Sequence, residues 1–482
     1  MKKVLLIIYY EIVDYLLSIK NQLEKFHMDV IIYPLFKYAY DVNSKIINYK
    51  EDLNKFIVNN EPDIVLWWFL DVPLDVFTFV IQNNRNAYYI MYNSDDPENL
   101  DKELFDKCKL FDLIITPCEE SIYLYKTFSD KTACFIPFGY DENDIYSLPK
   151  ELYTGEDYEN YSCDICIHIQ NLYSDEKKYP HQFVCCTGFI NDIIKYCKEK
   201  KKKIYIYGPY IINDFFPQYY RGLLPYSKQK FAYNFSKINI TLHLNCKISL
   251  HTNNILFPML ASGNILMIDR VKNFDKILTD SKDCIFIDDK NYINQVNEIL
   301  ENYNKYEYIK TNAIETAKKY SWYNWVKKIV YHYSIEHFDG DFYSKLYNID
   351  KNENLLEYWK NRFDDKMEIC YKFNVPKNFL CNKYRNDNFL HKYSDELSYL
   401  DWHMKSKNDK YLSNIPKQNK NKHIDLENHI TMDLYYNICT ILEKIRNNNE
   451  RDKNLLLLGN FVNKLCLENI NDILDKYLES VE

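Results

Sequence analysis

Residues 203–210 read KIYIYGPY, residues 220–245 read YRGLLPYSKQKFAYNFSKINITLHLN, and residues 251–269 read HTNNILFPMLASGNILMID. Three apolar, β-branched runs (Ile204 to Tyr207, Ile238 to Leu244, Ile265 to Asp269) alternate there with two amphipathic segments, Ser227 to Phe235 and Asn254 to Ser262. This alternation is the signature of βαβ units and predicts a parallel sheet.

In a doubly wound sheet, ligands bind beyond the carboxyl ends of the strands. Gly208 follows one of these strands and Asn245 another, and His251-Thr252-Asn253-Asn254 lead into a helix that closes at Ser262-Gly263. The start of that helix is expected to hold a diphosphate on free N–H groups. Its small-residue ending places Gly263 at the C-cap.

Upstream, residues 3–140 contain six strand candidates separated by helical patterns: Val4 to Tyr9, Val30 to Tyr33, Ile64 to Trp68, Tyr88 to Tyr92, Leu113 to Thr116 and Ala133 to Pro137. They predict one Rossmann-like domain over 1–145. Tyr9-Tyr10-Glu11-Ile12-Val13 stand where a dinucleotide-binding domain carries G-x-G-x-x-G, which disfavours a nicotinamide or flavin enzyme. Residues 142–161 are polar and aperiodic and read as a linker. A second Rossmann-like domain spans 160–335, with strands at Asp164 to Ile169 and Cys284 to Ile287 flanking the runs above. Ser321-Trp322-Tyr323-Asn324-Trp325 open its last helix. From 336 to 482 the strand signals fade, and patterns such as Leu434 to Arg446 and Leu455 to Leu478 predict an α-helical appendage, suited to partner binding or self-association.

The chain has 482 residues, 46% hydrophobic and 27% charged, the composition of a globular protein. A net charge of −8 with 61 dispersed basic residues argues against a nucleic-acid surface, which needs a clustered basic stripe. No apolar run reaches the length of a membrane span, and the charges at Glu11 and Asp14 break up the only stretch resembling a signal peptide. A cytosolic protein is expected, with its 14 scattered cysteines as thiols. Cys163 and Cys166 have metal-ligand spacing, but they fall inside a strand and no second pair exists, so no metal site is expected.

Two strand ends of the first domain carry polar chemistry: Trp67-Trp68-Phe69 with Asp71, and Ser94-Asp95-Asp96-Pro97. A carboxylate pair can supply a general base for an acceptor hydroxyl, since each charge raises its neighbour's pKa. Alternatively, one Asp caps the following helix, leaving the other for catalysis. The aromatic cluster suits either the core or a sugar-binding face. His168 reads as a hydrogen-bonded, partly buried residue, and Lys177 and Lys178 as solvated or phosphate-neutralising.

YGPY, YRGLLPYS, SKINITLHLN and FPMLASGNILMID, in this order, resemble the C-terminal domain of the CgeB-like (spore-maturation protein) glycosyltransferases. PDIVLWWFLD, YYIMYNSDDPEN, FDLIITPCEESIYLYKT and CFIPFGYD are similar to the family's N-terminal domain. The resemblance covers roughly residues 1–335. It implies an α/β GT-B fold, in which two Rossmann-like domains face a cleft, joined here to the C-terminal helical region. It implies transfer of a sugar from a nucleotide-diphosphate donor to a hydroxyl of a glycan, protein or other acceptor, with no cofactor. No Asp-x-Asp flanked as a metal motif is evident, so a helix N-terminus and basic side chains, rather than a required metal, are expected to stabilise the leaving group. The base would stack near Arg221-Gly222-Leu223 and Tyr226. Ribose, sugar and phosphates would meet Gly208, Asn245, His251, Thr252, Asn253, Asn254 and Asp269, with Asp95 or Asp96 as the base. Two departures stand out: His168-Ile169-Gln170-Asn171 lack the family glycine, and Ile255 and Pro258 replace the Arg and Glu of R-x-F-E-A. The rival expectation is therefore a GT-B-shaped protein that binds a glycan or nucleotide, or scaffolds an assembly, without turnover.

Overall fold

A computed structural model describes residues 2–8, 14–35, 49–68, 70, 72–96, 100–169, 180–243, 246–349, 354–366 and 368–373, with the single positions 385, 396 and 398. The first sheet has six parallel strands: β1 (Lys2–Ile8), β2 (Met28–Pro34), β3 (Ile64–Trp67), β4 (Tyr88–Tyr92), β5 (Leu113–Thr116) and β6 (Ala133–Phe135). Their order is β2-β1-β3-β4-β5-β6. All six lie where the apolar runs predict them. Alternate side chains of β1 serve opposite cores, because successive Cβ atoms point to opposite faces. Val4, Leu6 and Ile8 pack against the helices Asp14–Lys25 and Trp322–Glu336. Leu5 and Ile7 pack with Trp67 and Phe77 on the other side.

The second sheet holds β7 (Cys163–His168), β8 (Ile204–Tyr207), β9 (Ser236–Thr241), β10 (Ile265–Ile268) and β11 (Ile285–Phe286), in the order β11-β10-β9-β7-β8. β9 is shorter than its apolar run, ending at Thr241 rather than Leu244. The reason is a side chain: the amide of His243 donates to Asp269 Oδ2 at 2.8 Å and so leaves the strand ladder.

The helix Trp322–Glu336 follows the second sheet in sequence but belongs to the first in space. Trp322, Trp325, Val326, Ile329, Val330 and Tyr333 recur at helical spacing and are all buried in the core of the first sheet. Ser321 caps the helix, and the Trp322 amide donates to Tyr140 O at 2.9 Å. Gly139 allows this approach, since a Cβ there would lie 2.5 Å from the Trp322 ring.

The first part of the expected helical appendage shares that same core. Tyr343 and Leu346 of the helix Gly340–Tyr347, Trp359 and Phe363 of the helix Leu355–Lys366, and Ile369 to Tyr371 are buried in one cluster with Val4 and Leu6. Trp359 Nε1 donates to Glu368 O at 2.8 Å, and the Arg362 guanidinium pairs with the Glu368 carboxylate at 2.5 Å. The patterns at Leu434 to Arg446 and Leu455 to Leu478 lie outside the described residues. Among the described residues, no helix is long and apolar enough to cross a membrane.

Candidate ligand-binding cleft between the two sheets

The carboxyl ends of the two sheets meet through their loops. Residues 117–120, after β5, run beside residues 249–252, after β9, with an antiparallel bridge between Cys118 and His251. Ser249 donates its amide to Glu120 Oε2 and its hydroxyl to Glu119 Oε2, both at 2.9 Å. Lys276 reaches Glu119 at 2.8 Å, and Lys272 reaches Glu120 at 3.2 Å. The Lys276 bond, chiefly, holds Glu119 below the usual carboxylate range, and the Ser249 amide does the same for Glu120. These ion pairs are largely solvated, so each contributes at most about 1 kcal/mol, and the buried backbone bonds set the register. Leu250 takes a left-handed backbone with φ of 49° within this loop, a strained geometry for a branched residue, held by its amide bond to Lys272 O.

On the first sheet, the two predicted carboxylates have different surroundings. Asp96 is fully buried and accepts from Thr116 Oγ1 and Ser121 Oγ at 2.5 Å and from Tyr125 OH at 2.9 Å. Burial pushes its carboxyl up to about 6 against the pull of the three hydroxyls. With every donor coming from protein, Asp96 organises the start of the helix Ser121–Ser129. Asp95 is exposed beside it. Surrounding protein raises its carboxyl, but solvent reaches the side chain and weighs more, so Asp95 is the pair's accessible carboxylate. Neither caps the next described helix. Lys102–Cys108 begins after Asp101, whose side chain accepts from Leu104 N at 2.7 Å. Trp68 packs against Tyr15, Tyr92 and Trp325, so this part of the aromatic cluster is core. Phe69, Asp71 and Pro97 lie outside the described residues.

On the second sheet, the chemistry gathers at the ends of β9 and β10. Asp269 accepts from His243 Nδ1 and from Cys246 Sγ, each at 2.8 Å, besides the His243 amide. A carboxylate can only accept, so His243 carries a proton on Nδ1. The His243 and His251 rings meet edge to face with centroids 5.9 Å apart. Burial, then His243, pulls His251 down to about 3, leaving it neutral. Among the described residues, four buried polar atoms in this stretch have no hydrogen-bond partner: Thr241 Oγ1, His243 Nε2, His251 Nδ1 and Asn254 Oδ1.

The remaining predicted site residues divide between structure and cleft. Thr252 is buried and bonded to Pro117 O. Asn253 Oδ1 accepts from the amides of Ile255 and Leu256 at 3.1 and 3.0 Å, and Pro258 has no N–H. The start of the helix Leu256–Ala261, expected to offer free N–H groups to a diphosphate, thus has two of them already bonded. Ile255 and Pro258 are both buried, so no side chain reaches the cleft where the resembled family has Arg and Glu. Gly208 has φ of 145°, and a Cβ there would lie 2.1 Å from Ile169 O, so its glycine serves the packing of β8 against β7. Arg221 is exposed and stacks one face on Tyr205 at 4.1 Å, while Gly222 has open space around it and Leu223 is half-buried. Tyr226 OH accepts from the Asp141 amide at 2.9 Å, which ties it to the residue just before the linker. His168 Nδ1 lies 2.6 Å from Tyr233 OH, and burial pulls the ring down to about 3, so it is a core histidine. Asn245, Lys177 and Lys178 lie outside the described residues.

Sequence reasoning missed His243. The readable signal was a histidine just beyond an apolar strand, with an Asp just beyond the next one, since adjacent parallel strands place such residues side by side.

No protein-family model matches the chain, and no curated protein does. Among solved structures it is similar to sucrose-phosphate synthase from Thermosynechococcus elongatus, with a TM-score of 0.52 and 10% identity over 69% of this chain and 98% of that one. Also similar, with a TM-score of 0.48 and 11% identity over 69% of this chain and 100% of the other, is Anabaena HepE in complex with UDP-glucose. The likeness to the synthase is one of fold. Two parallel sheets of six and five strands, flanked by helices and meeting at their carboxyl ends, give this chain the GT-B fold.

Proposed function

We propose that the chain is a glycosyltransferase that moves a sugar from a nucleotide-diphosphate donor to an acceptor hydroxyl. The observation carrying this reading is the set of four unpartnered buried polar atoms at residues 241–254, at the carboxyl ends of the second sheet. Each such atom costs stability unless something supplies its hydrogen bond, so a cluster of them beside a cleft points to a polar ligand. Asp95 follows β4 at the carboxyl end of the first sheet. Its neighbour Asp96 is bonded to Thr116 and Ser121, which flank the 117–120 loop that pairs with 249–252. The donor belongs to the second domain, the acceptor to the first, and Asp95 is the base that takes the acceptor's proton.

Kinship with the CgeB-like proteins rests on the motif order over residues 1–335, and a cytosolic setting on the charges at Glu11 and Asp14 that interrupt the first apolar stretch, with UDP the nucleotide tried first. Transfer proceeds without a metal ion. This follows the sequence, in which no Asp-x-Asp flanked as a metal motif is evident. The C-terminal region, residues 336–482, serves a protein partner or self-association.

A second reading, binding without turnover, is favoured by the burial of Ile255 and Pro258. Thermal melts and calorimetric titration with UDP, GDP and their sugars test the first step. A ligand at a hundredfold its dissociation constant adds about 2.7 kcal/mol of stability. Donor hydrolysis or transfer by the binding-competent protein supports the enzyme, and binding without either supports the second reading. No heat and no stabilisation at millimolar ligand would reject both nucleotide-based readings.

A further inference from the structure

We propose that His243 and His251 form a recess that binds a sugar-ring hydroxyl of the ligand, with Asp269 as the residue that positions His243. The ligand's place in this cleft rests on the glycosyltransferase reading above. The chemistry of the recess is this chain's own.

Asp269 bonds His243 Nδ1, which leaves Nε2, buried and without a partner among the described residues, to accept from a ligand when the ring is neutral and to donate when it is charged. The His243 side chain is fully buried, with Phe274 edge-on to its ring at 5.1 Å, so bulk water does not fill that need. His251 brings a second buried nitrogen without a partner, Nδ1, from a ring in edge-to-face contact with the first. A neutral imidazole presents Nδ1 either as donor or as acceptor, according to its tautomer. An apolar group would satisfy neither nitrogen, and a phosphate oxygen or a carbonyl, which only accepts, would serve His243 Nε2 in one charge state alone. A hydroxyl both donates and accepts, and two neighbouring hydroxyls on one ring serve both nitrogens in either tautomer of His251. Both sources of such hydroxyls belong to one ligand, the ribose and the transferred sugar of a nucleotide sugar.

The test titrates the full-length protein and its His243→Phe and His251→Phe variants with UDP, 2′,3′-dideoxy-UDP and UDP-glucose. In parallel, histidine ring nitrogens are followed by two-bond 15N–1H spectroscopy as glucose alone and inorganic phosphate are added. If the ribose is bound, wild type prefers UDP to the dideoxy compound, and His243→Phe weakens UDP about 10- to 100-fold while leaving the dideoxy compound unchanged. If the transferred sugar is bound, the same loss is confined to UDP-glucose. Equal affinities of wild type and both variants for UDP and UDP-glucose would overturn the proposal and leave the two nitrogens to a buried water. A phosphate-induced shift at His243 Nε2 would also overturn it. Should wild type bind no nucleotide, the glycosyltransferase reading fails, and the recess is judged by glucose alone: a shift at His243 Nε2 upholds it and no shift rejects it. Should His243→Phe not fold, the partly exposed His251 carries the same comparison through His251→Phe.

Discussion

Thr252 gives both its amide and its hydroxyl to one atom, the carbonyl oxygen of Pro117, at 3.2 and 3.1 Å. The second domain's loop is thereby joined to the first domain at a residue that is only 1% exposed. Thr252, expected from sequence to touch the donor, is placed instead to hold the cleft's two walls together. Thr252→Val keeps the branched shape and the amide bond and removes only the hydroxyl donor. It should lower the unfolding free energy in urea by about 1 kcal/mol. Nucleotide affinity should change little, and a large loss of affinity at unchanged stability would return Thr252 to the ligand.

The two adjacent carboxylates should separate cleanly under mutation. Asp95→Asn should reduce sugar transfer by about two to four orders of magnitude without a stability cost, the usual scale for a general base. Full transfer activity in Asp95→Asn would move the base elsewhere.

Asp96 should instead appear in the pH dependence of stability. Its folded pKa of about 6 lies above the ordinary aspartate value of 3.8, so between those limits the folded state holds a proton that the unfolded chain has released. Stability from this group is therefore highest below about pH 4 and falls as pH rises through 6, by roughly 1.4 kcal/mol per unit at the steepest. Asp96→Asn cannot titrate there. It should be less stable throughout, because three hydroxyls lose their carboxylate acceptor, but the gap to wild type should narrow as pH rises from 4 to 7. A gap that stays constant across this window would mean that Asp96 titrates as an ordinary carboxyl.

Trp359→Ala should cost about 3–5 kcal/mol, the usual range for emptying a buried aromatic site. Trp359 shares a core with Val4, Leu6 and the helix Trp322–Glu336, so one transition should move as a whole. A separate early transition, with the remainder melting as in wild type, would show that residues 340–373 fold apart from the first domain. For the same reason, a chain cut before Gly340 should be poorly soluble.

Sugar transfer should persist in excess EDTA. Loss of activity with chelator and its return with Mn²⁺ or Mg²⁺ would sink the metal-independent mechanism, whatever the fate of the other predictions.

The strands of both sheets were legible in the chain because a β-branched run of four to six residues reports its own backbone and burial. Ile204 to Tyr207 and Leu113 to Thr116 needed no knowledge of any other segment. The aromatic and aliphatic spacing of the Trp322 helix likewise carries the face that packs. What each polar residue does was settled only in three dimensions, because a side chain's hydrogen-bond partner depends on which strand ends become neighbours. Asp95 and Asp96 are adjacent and alike in sequence, yet Asp96 is consumed by hydroxyls 20 to 29 residues away and Asp95 is not. His243 and Asp269 are 26 residues apart and meet because β9 and β10 pair, a contact that the periodicity of neither segment contains. Residues 340–373 likewise display an ordinary amphipathic pattern, which shows that a face must be buried but not which core will bury it.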